Sequence, residues 1–308
     1  MRNACLAAFA ALALAACEAV EEAAPPPPAV AAPGVAMAPL VLSEFFDCVR
    51  REGATLVAAH RGGPAPGYPE NALATFARTS ARTPALLEVD VNITRDGALV
   101  LMHDDTVDRT TNGTGRVDQM TRAEFAALSL EGSRDGEAPP TLQQALDWAE
   151  GRAILELDIK QGVPFEAVVE AVQRAVATER VVMIVYSTSA AIRLHRLEPD
   201  LMISVPIATQ ADLERLRRAR VPLDRVLAWT GVAQADADLN AALAARGVEV
   251  LFGALGGGAR RDDPWTGRDF AALREEGVHV IAADDVDAAW RAIDDADGEG
   301  WAAQRCLR

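Results

Sequence analysis

The sequence predicts an α/β protein built on a parallel sheet, closed as a (β/α)8 barrel or open and doubly wound, and three observations predict it. Short β-rich runs alternate with longer amphipathic stretches from about residue 50 to the C-terminus. The 308 residues are half apolar and 5% aromatic, which supplies a full-sized core and excludes a disordered or collagen-like chain. One pair of β-rich runs lies too close together for a parallel crossover and must form a hairpin.

Taken in chain order, Met1 to Cys17 carries one charge, Arg2, and then an apolar stretch from Ala4 to Ala16 that ends Leu14-Ala15-Ala16-Cys17. The stretch is too short to cross ~30 Å of hydrocarbon as a helix, and its basic start and small final residues read as a secretory signal. Its ending resembles a bacterial lipobox, which implies cleavage before Cys17 and lipid on the Cys17 sulfur; an ordinary signal cut among the alanines is the alternative. Acyl chains bury at roughly 0.8 kcal/mol per methylene, so a multiply acylated cysteine holds a protein on a membrane without a spanning helix. The expected location is the periplasmic face of a bacterial membrane. Residues 18 to 39, with Pro25 to Pro28 among alanines, read as an extended tether, and the folded domain as residues 40 to 308. Export leaves Cys48 and Cys306 at opposite ends of that domain. In an oxidising compartment they are expected to pair, for up to ~5 kcal/mol by the chain-entropy argument, against the alternative of two buried free thiols.

Nine strands are predicted: Thr55 to Ala59, Leu86 to Asn92, Leu99 to His103, Ile154 to Ile159, Val181 to Tyr186, Met202 to Val205, Arg225 to Trp229, Glu249 to Phe252 and Val278 to Ala282. Helical periodicity fills most gaps, for example Phe165 to Val176, where Phe165, Val168, Val169, Val172 and Val176 share a stripe, and Ala211 to Arg220. The second and third strands form the hairpin, with Asp96-Gly97 as a two-residue turn. That turn sets Asp90 opposite His103, and Glu88 shares the face of Asp90. Two carboxylates and an imidazole are thereby expected together.

Alternation in residues 154 to 160 puts Glu156, Asp158 and Lys160 on one strand face, which is costly in a dry core and tolerable in a barrel mouth or on a solvated edge. Both chain neighbours of this strand read as helices, which favours the mouth. Lys160 is the chain's single lysine against 29 arginines, and it stands at a strand's C-terminal end, where barrel sites are built. His60-Arg61-Gly62-Gly63 holds the same place after the first strand. The formal charge of −15, with no basic cluster, excludes nucleic acid as a partner. Small-molecule substrates remain. Glu88, Asp90 and Asp158 suit one hard divalent cation, Mg²⁺ or Ca²⁺; His60 and His103 suit general acid and base work; Arg61 and Lys160 suit a bound phosphate.

At these residues the chain resembles the glycerophosphodiester phosphodiesterase family. The resemblance rests on His60-Arg61-Gly62, Pro69-Glu70-Asn71, Glu88-Val89-Asp90, Thr94-Arg95-Asp96-Gly97, Leu101-Met102-His103-Asp104, Thr110-Thr111-Asn112-Gly113 and Asp158-Ile159-Lys160, in family order. It implies a (β/α)8 TIM barrel with an irregular hairpin and a small insertion, about Asp104 to Pro140. It further implies His60 and His103 as acid and base, Glu88, Asp90 and Asp158 as ligands of one divalent metal, and Arg61 and Lys160 on phosphate. The implied reaction releases glycerol 3-phosphate and an alcohol. The chain departs from the pattern in four ways. Asp158 replaces the usual glutamate, with Glu156 on the same face as a helper; Ala228-Trp229-Thr230-Gly231 comes one strand early; the later strand ends in Phe252-Gly253 followed by Gly256-Gly257-Gly258, which reads as a flexible turn with a phosphate-cradling loop as the alternative; and Ala283-Asp284-Asp285-Val286 replaces the familiar ending. Rival readings are a related phospholipase D-like enzyme acting on lysophospholipid or sphingomyelin, and a lipid-anchored binding protein without turnover. His195 and His279 read as structural, and no protein partner is inferable.

Overall fold

The computed structural model describes residues 41–256, 265–297 and 302–307. The signal segment, Cys17, the Ala/Pro-rich tether and most of the glycine run at 256–258 lie outside the described residues. Among the described residues no helix is long and apolar enough to cross a membrane.

All nine predicted strands form: β1 Leu56–Ala59, β2 Ala85–Ile93, β3 Leu99–Leu101, β4 Leu155–Ile159, β5 Val181–Ile184, β6 Met202–Pro206, β7 Val226–Trp229, β8 Glu249–Ala254 and β9 Val280–Ala283. The eight parallel strands β1, β2 and β4 to β9 pair in sequence, and β1 bonds both β9 and β2. This closes the ring as a (β/α)8 barrel and removes the open doubly wound alternative. Helices α1 Leu42–Arg51, α2 Leu73–Arg82, α3 Arg122–Ala126, α4 Leu142–Ala149, α5 Phe165–Arg174, α6 Thr188–Leu197, α7 Gln210–Arg218, α8 Ala237–Ala244, α9 Gly267–Glu275 and α10 Val286–Asp297 complete it. Several begin on capping boxes, with Thr141, Thr209 and Thr266 accepting from the third helical N–H while Gln144, Asp212 and Asp269 reach back. The caps occupy donors that a helix otherwise leaves unpaired at its N-terminus.

Paired residues on neighbouring strands share a face, so the ladder registers trace the barrel interior. From Glu88 and Asp90 that face runs through Glu156 and Asp158 to Ile184, Ser204 and Leu227. It continues through Glu249 and Leu251, then Val280, and returns by Ala282 and Ala58. The alternate residues, such as Leu87, Val89, Leu155 and Leu157, are fully buried beneath the helices. The carboxylates therefore line the inside of the barrel.

The hairpin corrects one expectation. β3 pairs antiparallel to β2 as Val91↔Leu101, Asn92↔Val100 and Ile93↔Leu99, so Asp90 stands opposite Met102 rather than His103. Met102 N–H donates to the Asp90 carbonyl at 3.0 Å. The cause is loop length. Thr94 and Ala98 still bond each other, which leaves Arg95, Asp96 and Gly97 as a three-residue loop with Gly97 left-handed at φ +85°, where a two-residue turn had been expected. One residue of slip moves every side chain to the other face, so His103 reaches the site only because β3 stops at Leu101. Residues 104 to 140 then form the predicted insertion, whose own apolar cluster joins Val107, Val117 and Phe125 to Val100 and Met102.

Helix α1 closes the bottom of the barrel through buried Leu42, Phe45, Phe46 and Val49, and Cys48 on it is disulfide-bonded to Cys306. Arg50 of α1 donates Nε to Glu249 Oε1 at 2.9 Å. Burial outweighs that ion pair and pushes the Glu249 carboxyl up to about 7. Beside it, His279 Nδ1 accepts from Val250 N–H at 3.0 Å, and burial together with Arg50 pushes the imidazole down to about 4. The unfolded imidazole titrates near 6.5, so between those values the unfolded state binds the extra proton. His279 therefore stabilises the fold fully above about pH 6.5, and that contribution, on the order of 3 kcal/mol, is lost as pH falls through about 4. Urea midpoints of the wild type and His279→Gln between pH 7.5 and 4.5 check this: the variant is expected to lose less stability on acidification.

Candidate active site

The first βα loop is built to hold its side chains still. After β1 the chain turns through His60–Gly62, with Arg61 in the left-handed region at φ +52°. Such a conformation costs a non-glycine residue roughly 1–2 kcal/mol, which the surrounding bonds offset. Arg61 N–H donates to Glu88 Oε2 at 2.6 Å, and the Arg61 carbonyl accepts from Asn71 N–H at 3.0 Å. Gly62, at φ +81°, lies against Phe76, and a Cβ there would come within 2.4 Å of the ring.

Glu88, Asp90 and Asp158 each bring an oxygen within 4.8 Å of the others, all three buried, and form the metal-capable group among the described residues. Asn71 fixes one corner, donating Nδ2 to Asp90 Oδ2 at 2.6 Å while its Oδ1 accepts from Asp90 N–H at 2.9 Å. Tyr186 O–H donates to Asp158 Oδ1 at 2.5 Å. Lys160 Nζ lies 2.6 Å from both Asp90 Oδ1 and Asp158 Oδ2. Burial and the neighbouring charge of Asp90 drive the Glu88 carboxyl well above the usual carboxylate range. Burial opposes the Lys160 charge, but Asp90 and Asp158 overcome it and hold the ammonium above its ordinary pKa.

This donor set fits a hard divalent cation. Three buried carboxylates share one small volume, a single ammonium leaves them in excess, and all the ligands are oxygen. Glu156 does not join them. It lies one interior step below Asp158, its Oε1 is buried without a hydrogen-bond partner among the described residues, and burial with the Asp158 charge raises it to about 8.

Arg61 points a buried Nε that has no hydrogen-bond partner among the described residues, while its Nη1 bonds both oxygens of Glu70 at 3.0 and 3.1 Å. Glu70 is also held by Arg109 at 2.8 and 2.9 Å, and Arg109 grips Asp104 through Nε at 2.6 Å. Asp104 Oδ1 in turn meets His103 Nδ1 at 2.7 Å. The Arg109 hydrogen bond, with lesser help from His103, lowers the Asp104 carboxyl to about 2. One chain of ion pairs therefore ties the candidate phosphate arginine to His103. His60 meets Asp284 in the same way, Nδ1 to Oδ1 at 2.6 Å. An ionised carboxylate only accepts, so each histidine carries its proton on Nδ1 and leaves Nε2 for a ligand.

The sequence matches the glycerophosphoryl diester phosphodiesterase family over residues 60–256, nearly two thirds of the chain. The chain belongs to this family. A glycerophosphodiester phosphodiesterase from Caldanaerobacter subterraneus subsp. tengcongensis is 33% identical over 161 residues, covering 49% of this chain and 66% of that protein. Bovine glycerophosphodiester phosphodiesterase 1 is 42% identical over 94 residues, covering 29% of this chain and 28% of that protein. The alignments thus span between about a quarter and two thirds of these relatives' lengths. Among solved structures, a glycerophosphoryl diester phosphodiesterase from Parabacteroides distasonis superposes with a TM-score of 0.77 at 27% identity, covering 85% of this chain and 94% of that one. An Oleispira antarctica phosphodiesterase, solved with sn-glycerol-3-phosphate, shares the fold at a TM-score of 0.63 and 22% identity, covering 80% and 99%.

Against this family background, His60, Arg61, Glu88, Asp90, Asp158 and Lys160 come together at one rim, and His103 joins through the Asp104–Arg109–Glu70 chain. Sequence reasoning assigned no role to Glu70, Asn71, Asp104, Arg109, Tyr186 or Asp284. Glu70, Asn71 and Asp104 stand inside motifs already quoted, so their signal was adjacency. Tyr186 was placed at the end of a strand that stops at Ile184, and its ring is two-thirds exposed at the rim.

Proposed function

We propose that the protein is a metal-dependent phosphodiester hydrolase that cleaves glycerophosphodiesters to glycerol 3-phosphate and an alcohol, in the turnover of glycerophospholipid headgroups. The observation that carries this reading is the meeting of three buried carboxylates, a lysine and an arginine with a histidine whose Nδ1 is held by an aspartate. Family membership and the product seen in the Oleispira enzyme support the same substrate class.

Glu88, Asp90 and Asp158 would hold the Mg²⁺ or Ca²⁺, which supplies positive charge to a phosphodiester oxygen. Arg61 presents to the phosphate an Nε that lies 4.0 Å from Asp90 Oδ2 and has no hydrogen-bond partner among the described residues. Lys160 gives two N–H groups to carboxylates and keeps a third for a phosphate oxygen. Of His60 and His103, one takes at Nε2 the proton of the nucleophile and the other gives a proton to the departing alcohol; the nucleophile is the neighbouring glycerol hydroxyl, forming a cyclic phosphate that water then opens to glycerol 3-phosphate, or else water itself. With Nδ1–H held by a carboxylate, the ring that acts as base offers a free Nε2, and the ring that acts as acid enters the step as an imidazolium with its second proton on Nε2. A strongly acidic protein repels an anionic substrate at long range, so binding rests on this local positive charge.

Asp158, standing where the family usually has glutamate, is the one observation that favours the phospholipase D-like rival. Glycerophosphocholine, glycerophosphoethanolamine and lysophosphatidylcholine offered side by side discriminate the two. Release of glycerol 3-phosphate from the first two is expected; turnover of lysophosphatidylcholine alone would move the assignment to the rival. The lipoprotein reading of residues 1–17 is part of the proposal and rests on the Leu-Ala-Ala-Cys motif. Palmitate labelling in a bacterial host is expected to mark the wild type and to vanish in Cys17→Ala; label that persists in the variant would refute it.

A further inference from the structure

We propose that Asp284 is the positioning residue of His60, supplied by the closing strand of the barrel from outside the segment that matches the family. The inference rests on the catalytic reading of His60 given above. Asp284 lies 28 residues beyond the matched segment, which ends at Gly256, and 224 residues from His60 in sequence. Barrel closure brings them together. β1 and β9 run parallel in the register Ala58↔Ala282 and Ala59↔Ala283, so the next residue of each strand is His60 and Asp284. Their side chains meet at 2.6 Å, Nδ1 to Oδ1.

The second oxygen of Asp284 is also committed. Oδ2 accepts the backbone N–H of Gly256, the first residue of the glycine run after β8. A Cβ at Gly256 would lie 3.2 Å from that oxygen, so a glycine suits the approach. A carboxylate held at both oxygens fixes the plane of the imidazole it accepts from, as an outer partner fixes a metal-bound or catalytic histidine.

Its acidic neighbours are engaged elsewhere. Asp285 Oδ1 accepts from Ala288 N–H at the start of α10, and Asp287 pairs with Arg78 and Arg82. Asp284 alone of the three meets the histidine. The two histidines are therefore held by different means: His103 by its chain neighbour Asp104, which Arg109 clamps, and His60 by a residue from the far end of the fold with a backbone amide behind it. The ending Ala283-Asp284-Asp285-Val286, divergent in sequence, keeps the carboxylate where this contact needs it.

The test joins kinetics with a measurement that needs no turnover. In the metal-loaded enzyme acting on glycerophosphocholine, Asp284→Asn is expected to lower kcat about 10- to 100-fold with KM within about twofold, and Asp284→Glu to recover part of the loss. Asp285→Asn serves as the control and keeps the wild-type rate. Proton NMR of histidine-¹⁵N-labelled wild type is expected to show a low-field Nδ1–H that disappears in His60→Gln and in Asp284→Asn, while the His103 signal stays. An unchanged kcat in Asp284→Asn, or a loss confined to KM, would overturn the proposal. So would a wild-type His60 whose proton sits on Nε2, a reading that holds even where a variant fails to fold. Absence of turnover on any phosphodiester would count against the function, and the His60 resonance would still decide the contact.

Discussion

Replacing His103 with alanine is expected to lower kcat for glycerophosphodiester cleavage by on the order of 10²- to 10⁴-fold, with the fold intact. The fold survives because His103 lies past the end of β3, a third exposed, and packs in neither apolar cluster. Its loss leaves Asp104 still clamped by Arg109, so the ion-pair chain back to Arg61 stands. What disappears is a proton carrier whose tautomer the Asp104 contact had set. An intermediate test follows from that chain: Arg109→Met removes the link between Glu70 and Asp104, leaving Glu70 with Arg61 alone and Asp104 with His103 alone, so it should weaken rate and phosphate binding together. A His103→Ala enzyme with full kcat, measured by coupled detection of glycerol 3-phosphate, would remove His103 from the mechanism.

Replacing Asp90 with asparagine is expected to abolish detectable turnover and metal binding together. Asp90 is the most buried of the three ligands, about 1% exposed, and it also anchors Asn71 and Lys160. The substitution removes a candidate ligand charge and leaves Asp158 as the ionised carboxylate bonded to Lys160 among the described residues, so cation and ammonium would then compete for the same remaining oxygens. Breaking a buried ion pair from one side costs several kcal/mol. Calorimetric titration with Mg²⁺ and Ca²⁺ should show a site in the wild type and none in Asp90→Asn. Equal affinity in both would mean that the cation binds elsewhere.

Much of this arrangement was legible in the sequence, and the reason is local. All nine strands carried their own β-rich runs, and strand alternation alone put Glu88 with Asp90 and Asp158 with Lys160 on shared faces. The hairpin between β2 and β3 was legible as a hairpin but not in register, because Asp96-Gly97 serves a two-residue turn and the end of a three-residue loop equally well. What stayed hidden depends on ring closure or on the turn of a loop. Asp284 meets His60 only once β9 has bonded β1. Asn71 reaches Asp90 because residues 61 to 71 fold back on themselves, and Tyr186 reaches Asp158 because β5 ends two residues before it. The clamp of Arg109 on Glu70 and Asp104 joins two loops with no shared periodicity. At the barrel bottom, the partner of Glu249, Arg50, comes from a helix before the first strand, a pairing no local pattern marks.

The most direct measurement is glycerol 3-phosphate release from glycerophosphocholine by the purified protein, before and after EDTA, with Mg²⁺ or Ca²⁺ then returned. The account predicts release by the metal-loaded protein, loss of it on chelation, and recovery with one of the two cations. No glycerol 3-phosphate under any metal, or release that EDTA leaves untouched, would contradict it.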